Sequence, residues 1–281
     1  MIIPHRVEVL HPVWPITNFI VIGLCVITTG LWLYSDVVFL DHLILEGWNP
    51  IDMALSALLH ADFLHLLFNM LFLWVFGNAI CAKFGNLKFL AIFFGGAMGA
   101  SLVHLIMDGS PCVGASGAIN AVIGVFLVLY PVNRIHCAYW IFFAFGSFSI
   151  KAYWLIAFWF GTDIFGAFFQ EHSDVAFWAH IGGLLVGIGI GFYALATNSV
   201  EMADVDNETL PDLLFRKKKA GDYEIPERSR RIVRESKKAH YVPVDSPEVE
   251  SQKVSPRTPP AAEPPLDFKI KPMPRKSNPE E

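Results

Sequence analysis

Residues 176–197 read AFWAHIGGLLVGIGIGFYALAT and are almost entirely apolar. This stretch contains no Asp, Glu, Lys or Arg, and its length matches the roughly 20 apolar residues that a helix needs to cross a bilayer. Gly183, Gly187 and Gly191 follow one another at intervals of four, so they share one helix face to which a second backbone can come close. The stretch therefore predicts a membrane-spanning helix that packs tightly against a neighbour.

Five further apolar runs precede this one, and the six together predict an all-α, polytopic membrane helix bundle. Within lipid, only helices and closed barrels satisfy their backbone hydrogen bonds. The composition agrees, because 54% of the 281 residues are hydrophobic and 17% are charged. The mean hydropathy is +0.45. The six predicted transmembrane helices are residues 16–34, 63–80, 89–107, 116–131, 151–169 and 176–197.

The chain divides into three predicted regions. Residues 1–15 form a cytoplasmic N-terminus, residues 16–197 form the six-helix membrane domain, and residues 198–281 form a cytoplasmic tail. Apolar residues become scarce in the tail and prolines recur, so we expect it to be disordered. Its clusters of Lys and Arg would be attracted to anionic lipid.

The distribution of charge predicts the orientation of the spans. Of twenty-one Lys and Arg residues, only five precede residue 200: Arg6, Lys83, Lys88, Arg134 and Lys151. With the first span running outward, every basic residue is cytoplasmic and the opposite loops carry only acids, as the positive-inside rule requires. We therefore expect a multi-pass integral membrane protein, in the bacterial inner (cell) membrane, with both termini in the cytoplasm.

Two segments between the spans contain more than a plain connection. Residues 35–61 mix large apolar side chains with acids, which predicts an interfacial structure partly sunk in the outer leaflet. Residues 137–150 are apolar, and they are interpreted as an extension of the fourth span, a re-entrant piece or part of the fifth span.

Polar residues in three of the spans are candidates for function, because burying polar groups in a membrane is costly. Ser116 lies in the sequence GASG at the head of span four, and His180 lies about one turn into span six. His65 and Asn69 share one face of span two. These three spans all run from outside to inside, so the four side chains should lie on the order of 10 Å below the outer surface.

This arrangement predicts nucleophilic catalysis. A histidine bonded to the Ser116 hydroxyl can act as its general base. The Ser116 backbone N–H, the Asn69 amide and the His65 imidazole could stabilise an oxyanion. No acid is obviously placed to orient His180, so we expect a Ser-His dyad. Asp163, in span five, is expected to have a structural role, and His60 is expected to be structural or to anchor a loop.

Three motifs in this order resemble the rhomboid intramembrane serine proteases: HxxxN at residues 65–69, GASG at 114–117 and AHIGG at 179–183. The resemblance covers about residues 10–197. It implies Ser116 as nucleophile and His180 as general base, with His65 and Asn69 as oxyanion stabilisers. The glycines that support this site would be Gly114, Gly117 and Gly183.

The resemblance also implies the substrates, which would be transmembrane segments of single-span or polytopic membrane proteins, reached from the outer face. It implies no cofactor, no metal and no nucleic acid, and the four cysteines include no CxxC pair. Two positions depart from the pattern. Ile51-Asp52 stands where many members carry Trp-Arg, and Asn120 stands where some carry a tyrosine that stacks on the histidine.

Three other interpretations compete with a protease. Ser116, His180 and Asn69 could serve helix packing alone. The same fold could act as a non-enzymatic membrane chaperone or scaffold that binds client helices, although intact Ser116 and His180 argue against this. A transporter would show inverted repeats and charged midplane residues, and neither is visible in the sequence.

Overall fold

The computed structural model describes residues 2–9, 14–35, 37–141, 144–170, 173–202 and 208–215. Most of the predicted disordered tail, including its basic clusters, lies outside these residues. Within the tail, Leu210–Phe215 forms a short helix.

All six predicted spans are helical, and their boundaries agree with the sequence to within a few residues. In chain order the helices are α1 (Ile16–Tyr34), α2 (Pro50–Leu55), α3 (Phe63–Phe72), α4 (Asn78–Phe84), α5 (Asn86–Met107), α6 (Ser116–Leu129), α7 (Ala152–Phe169), α8 (Phe177–Ala196) and α9 (Leu210–Phe215). A π-helical turn, Leu73–Gly77, joins α3 to α4, so that residues 63–84 form the second span. Five of these spans are long and apolar enough to cross a membrane, and α6 is a shorter apolar helix. The predicted polytopic helical bundle is confirmed.

The short helix α6 lies at the centre of the bundle. Its 14 residues correspond to about 21 Å, which is less than the roughly 30 Å of a bilayer's hydrocarbon. Almost every residue from Gly117 to Leu129 is buried against neighbouring helices. A short central helix of this kind can begin below the membrane surface, and Ser116 is its first residue.

The predicted close approach of small residues is confirmed at the contact between α6 and α8, the most extensive helix contact of the described residues. A Cβ atom at Gly183 would collide with the carbonyl oxygen of Gly117, and one at Gly187 would collide with the carbonyl oxygen of Ala121. The two backbones therefore touch directly, which no larger residue at these positions permits.

The π-helical turn in the second span is held by α1. The Asn18 side chain is fully buried, and its Nδ2 donates to the carbonyl oxygen of Leu73 (2.9 Å) and to Asn78 Oδ1 (2.8 Å). The carbonyl at the start of the turn thus has a partner from a neighbouring helix, which is how irregular helices are tolerated inside a bundle.

The segment predicted to be an interfacial structure contains three short helices: a 3₁₀ helix at Val38–Leu43, α2, and a 3₁₀ turn at Ser56–Leu58. Paired backbone hydrogen bonds between Leu45 and Cys112 (3.1 Å each) tie this segment to the loop that leads into α6.

Residues 134–141 and 144–151 form two antiparallel strands, so all three interpretations of the apolar stretch 137–150 are wrong. Strand β1 (Ile2–Val7) pairs antiparallel with β2 (Arg134–Ile141), which pairs antiparallel with β3 (Ala144–Lys151). The predicted all-α domain therefore carries a three-stranded sheet, and the N-terminal segment is its edge strand.

An alternation of side chains explains this sheet. Ile135 and Cys137 are buried in the helical core, whereas Arg134 and His136 point to the other face, where Arg134 donates to Ser149 Oγ (2.7 Å). Side chains that alternate with a period of two belong to a half-buried strand and not to a helix. The six aromatic residues from Tyr139 to Phe148, four of them phenylalanine, hide this pattern because they make the stretch almost continuously apolar.

Candidate active site

Ser116 is held at the N-terminus of α6 by a glycine that no other residue can easily replace. Gly114 has a φ of +133°, a backbone conformation that side chains disfavour. A Cβ atom at Gly114 would also come within 2.7 Å of His65 Cε1. The backbone before Ser116 therefore passes directly beside the His65 imidazole.

His180 lies in the first turn of α8, and its imidazole contacts the serine. The distance from His180 Nε2 to Ser116 Oγ is 2.9 Å, within hydrogen-bonding range. The two residues are 64 positions apart in the chain, and the glycine contacts between α6 and α8 bring them together. Both side chains are partly buried.

Asp163 lies on the other side of the imidazole, which contradicts the prediction that no acid orients His180. The distance from Asp163 Oδ1 to His180 Nδ1 is 3.0 Å, and both side chains are largely buried. Opposite an ionised carboxylate, which can only accept a hydrogen bond, Nδ1 would carry the proton and Nε2 could accept from the Ser116 hydroxyl. Ser116, His180 and Asp163 thus lie in a row, with the imidazole in contact with both the hydroxyl and the carboxylate.

His65 and Asn69 lie on the same face of α3, but they differ in what they contact. The His65 imidazole faces the loop before Ser116 through Gly114. The Asn69 side chain is buried, and its Nδ2 donates to the carbonyl oxygen of His65 in its own helix (2.9 Å). The N-terminus of α3 is capped by Asp62, whose carboxylate accepts from the backbone N–H of Leu64 and of His65.

The fully buried His60 joins the serine loop to α1, so the prediction that it anchors a loop is confirmed. The backbone N–H of Ala115 donates to His60 Nε2 (3.3 Å), and His60 Nδ1 lies 3.2 Å from Thr29 Oγ1. Because Nε2 accepts, Nδ1 carries the proton and donates to Thr29. The residue before Ser116 is thereby held by a side chain from the loop that precedes α3.

This contact predicts a pH-dependent stability. Burial, with a smaller contribution from neighbouring His65, lowers the pKa of His60 from its ordinary 6.5 to about 3. The unfolded chain therefore binds the proton more readily, so the contribution to stability is complete above about pH 6.5 and declines as the pH falls. Between pH 7 and pH 5 we expect a loss of about 2 kcal/mol. Thermal unfolding in detergent measures it.

The matched variants for that measurement are His60→Gln and His42→Gln, the latter at an exposed position of the 3₁₀ helix Val38–Leu43. His60→Gln should make the unfolding temperature less sensitive to pH, whereas His42→Gln should retain the dependence of the unchanged protein. Equal pH dependence in the two variants would contradict the assignment to His60.

Two further contacts surround the reacting side chains. Asn120 Nδ2 donates to the backbone carbonyl of Ser116 (3.0 Å), so this amide braces the first turn of α6. The Phe177 ring meets the His180 ring edge to face, with centroids 6.4 Å apart.

A small cavity lies beside Ser116, on the side facing α5. Its volume is about 20 Å³, and Ser56, Ser101 and Ser116 contribute to its lining. That volume holds roughly one water molecule, which needs polar partners of this kind.

Comparisons with known proteins identify the family of this chain. Residues 47–197 match the family model of the rhomboid domain. The chain is 29% identical over 150 residues to RHOMBOID-like protein 12, mitochondrial, of Arabidopsis thaliana, which covers 47% of this chain and 42% of that protein. It is 31% identical over 160 residues to Rhomboid protein 1, mitochondrial, of Saccharomyces cerevisiae, a match that covers 52% of this chain and 42% of that protein. It is 31% identical over 139 residues to Rhomboid protease GlpG of Enterobacter sp., a match that covers 48% of this chain and 45% of that protein. The matched segment spans less than half the length of each of these relatives.

Proposed function

We propose, from the premise that this chain belongs to the rhomboid family, that it is an intramembrane serine endopeptidase. The observation that carries the proposal is the 2.9 Å distance between Ser116 Oγ and His180 Nε2. A hydroxyl and an imidazole at this distance form the nucleophile and general base of acyl transfer. The relative named as a protease, GlpG, supports the same reaction class.

The reaction follows from these atoms. Ser116 Oγ attacks the carbonyl carbon of the scissile bond while its proton passes to His180 Nε2. The tetrahedral intermediate collapses, the C–N bond breaks, and the proton moves from Nε2 to the leaving amine. Water, activated by the same imidazole, then hydrolyses the ester on Ser116. The cavity beside Ser116 is large enough for one water molecule near this ester.

The oxyanion of the intermediate needs hydrogen-bond donors. The Ser116 backbone N–H lies at the free N-terminus of α6, where N–H groups have no partner within the helix. The His65 imidazole lies across Gly114 from the same loop. The Asn69 amide would have to turn from the His65 carbonyl to join them. Gly114, Gly117 and Gly183 support this arrangement by allowing the close backbone contacts.

We therefore predict that Asn69→Ala slows cleavage about 10-fold to 1,000-fold, because one oxyanion donor is lost. The fall should appear in kcat, with KM nearly unchanged. Folding should change little, since the Asn69 side chain contacts its own helix. The comparison is with Asn120→Ala, which also removes a partly buried amide that donates to a backbone carbonyl of its own helix. Equal rates for Asn69→Ala and the unchanged protein would remove Asn69 from the mechanism.

The substrates are transmembrane segments of membrane proteins, on which rhomboid proteases act. A bound segment must unwind locally, because helical hydrogen bonds cover the carbonyl that Ser116 attacks. Helix α7 is the least buried of the five long spans, at 22% of its residues. Its contact with the second span runs through Trp159, which meets Phe72 at 5.0 Å and Phe76 at 6.2 Å. Opening this aromatic contact would admit a substrate between α3 and α7.

The protein is an integral membrane protein with several spans. The orientation we propose has both termini in the cytoplasm and the serine open to the outer face, since the basic residues lie on the opposite side. The bacterial inner membrane expected from the sequence has no support from the relatives, of which two are named as mitochondrial.

Purified protein in detergent tests the proposal, with a single-span substrate whose transmembrane helix contains small and helix-weakening residues. We expect two products cut within or near that helix, and a fluorophosphonate should label the protein at Ser116. Binding of the substrate without cleavage or labelling would contradict the protease and favour the scaffold interpretation.

A further inference from the structure

We propose that Asp163 is a positioning residue that completes a Ser116-His180-Asp163 triad. Its carboxylate accepts the hydrogen bond from His180 Nδ1–H and keeps Nε2 unprotonated and directed at Ser116 Oγ. This inference rests on the proposed function, since it concerns the same site, and it replaces the dyad expected from the sequence.

One imidazole contacts both the serine and the aspartate. The distances are 2.9 Å on the serine side and 3.0 Å on the aspartate side, each joining a different ring nitrogen. The side chains of His180 and Asp163 are only 17% and 16% exposed. Water therefore competes weakly for either hydrogen bond, and the carboxylate can hold the ring in one orientation.

Topology accounts for the contact. Helix α7 ends at Phe169 and α8 begins at Phe177, so the two helices run in opposite directions from one outer loop. Asp163 lies six residues before the end of α7, and His180 lies three residues after the start of α8. Both positions are within two turns of the same membrane surface. Asp163 and His180 therefore lie at a similar level because of the positions of the two helix ends, whatever the catalytic role of His180.

Asp163 is the one charged residue of α7, so its position in this helix needs an explanation. Its neighbours Ile164 and Phe165 are both exposed on the surface of the bundle. An ionised carboxylate is costly among such residues unless it is paired. Within the part of the chain that the structure describes, its hydrogen-bond partner is His180. A carboxylate that only joined two helices could accept a hydrogen bond from any donor with the same effect. The Asp163 carboxylate instead contacts His180 Nδ1, the ring nitrogen that does not face Ser116 Oγ.

None of the other described groups around His180 named below can replace the Asp163 carboxylate as a negatively charged hydrogen-bond acceptor. Helix α6 contributes the neutral Ser116, and α8 itself contributes the Phe177 ring. Helix α3 contributes His65, which lies beyond the serine loop and is a second imidazole. Among these described neighbours, Asp163 is the one that carries negative charge and can stabilise an imidazolium.

The role in each step is electrostatic and geometric. When Ser116 Oγ forms its bond to the carbonyl carbon, its proton moves to Nε2 and the ring becomes an imidazolium with protons on both nitrogens. The carboxylate of Asp163 stabilises that cation and does not take its proton. The Nε2 proton then moves to the leaving nitrogen as the C–N bond breaks, and the ring returns to its starting tautomer.

Asp163→Asn tests the triad, because asparagine has nearly the same shape and no charge. Its amide can donate to Nδ1, which leaves the proton on Nε2 and prevents the ring from accepting from Ser116. We expect kcat to fall about 100-fold to 10,000-fold with KM changed less than about twofold. Fluorophosphonate labelling of Ser116 should slow in parallel, since this small probe needs no docking of a substrate helix. Asp163→Glu should recover part of the rate.

The matched control is Asp174→Asn, which removes an equal charge from the exposed loop between α7 and α8. It should leave kcat and labelling within about twofold of the unchanged protein. Thermal unfolding of each variant in detergent shows whether Asp163→Asn is folded at the assay temperature. If a folded Asp163→Asn cleaves and labels at the rate of Asp174→Asn, or if only KM changes, the triad is overturned while the protease stands. If the unchanged protein neither cleaves nor labels, the proposed function itself has failed.

Discussion

Ser116→Ala is expected to abolish cleavage, with a fall in kcat of at least about 10,000-fold. The reason is that alanine removes the one atom, Oγ, that forms the bond to the substrate and faces His180 Nε2 at 2.9 Å. Neither helix needs to move, since alanine is smaller than serine and suits the first turn of α6. Substrate binding should therefore persist, and KM or direct binding should change little.

The measurement is single-turnover cleavage of a transmembrane substrate together with fluorophosphonate labelling. Ser110→Ala provides the control, because Ser110 is an exposed serine in the loop that leads towards the same helix. It should keep both activities. His180→Ala should lose nearly as much activity as Ser116→Ala, and combining the two should cost little more, since they act as one unit. Residual cleavage by Ser116→Ala at the rate of Ser110→Ala would exclude Ser116 as the nucleophile.

Gly187→Ala is expected to destabilise the protein by about 2–4 kcal/mol and to remove most of its activity. Its new methyl group would collide with the backbone carbonyl of Ala121, which cannot turn aside as a side chain can. Helices α6 and α8 must then separate. Since the distance between Ser116 and His180 depends on this contact, the hydrogen bond between them should lengthen although Gly187 lies about 10 Å below His180.

Gly189→Ala is the matched control on the same helix, because a Cβ atom there meets nothing within 4 Å. It should leave stability and activity close to those of the unchanged protein. Thermal unfolding in detergent and the cleavage rate are the two measurements. If Gly187→Ala and Gly189→Ala behave alike, close backbone contact between α6 and α8 is not what holds the site together.

Much of the helical architecture was predictable because each feature is local. The span 176–197 needs only a run of apolar residues, and its packing face needs only Gly183, Gly187 and Gly191 at a helical interval. The shared depth of Ser116 and His180 followed from counting spans, since that count sets the direction of every helix. The sheet was missed because its aromatic residues satisfy a hydropathy average, although Arg134 and His136 alternate with the buried Ile135 and Cys137.

Asp163 shows where such reasoning stops. Its depth could have been matched to that of His180 from the two helix ends alone. The face of α7 that turns towards α8 could not be predicted in this way, because an almost uniformly apolar helix carries no pattern that marks its buried side. His60 is similar, since its partners Thr29 and Ala115 lie 31 and 55 residues away.

The number of spans, their order and the small-residue face of α8 can be read from the sequence alone, because these depend on composition and on the 3.6-residue period of a single helix. Only the tertiary structure decided that an aspartate meets the second nitrogen of His180, that a histidine holds the residue before Ser116, and that strands replace a predicted membrane segment. Those contacts depend on the rotation of each helix about its axis and on pairing between distant segments, which the packing of the whole bundle sets.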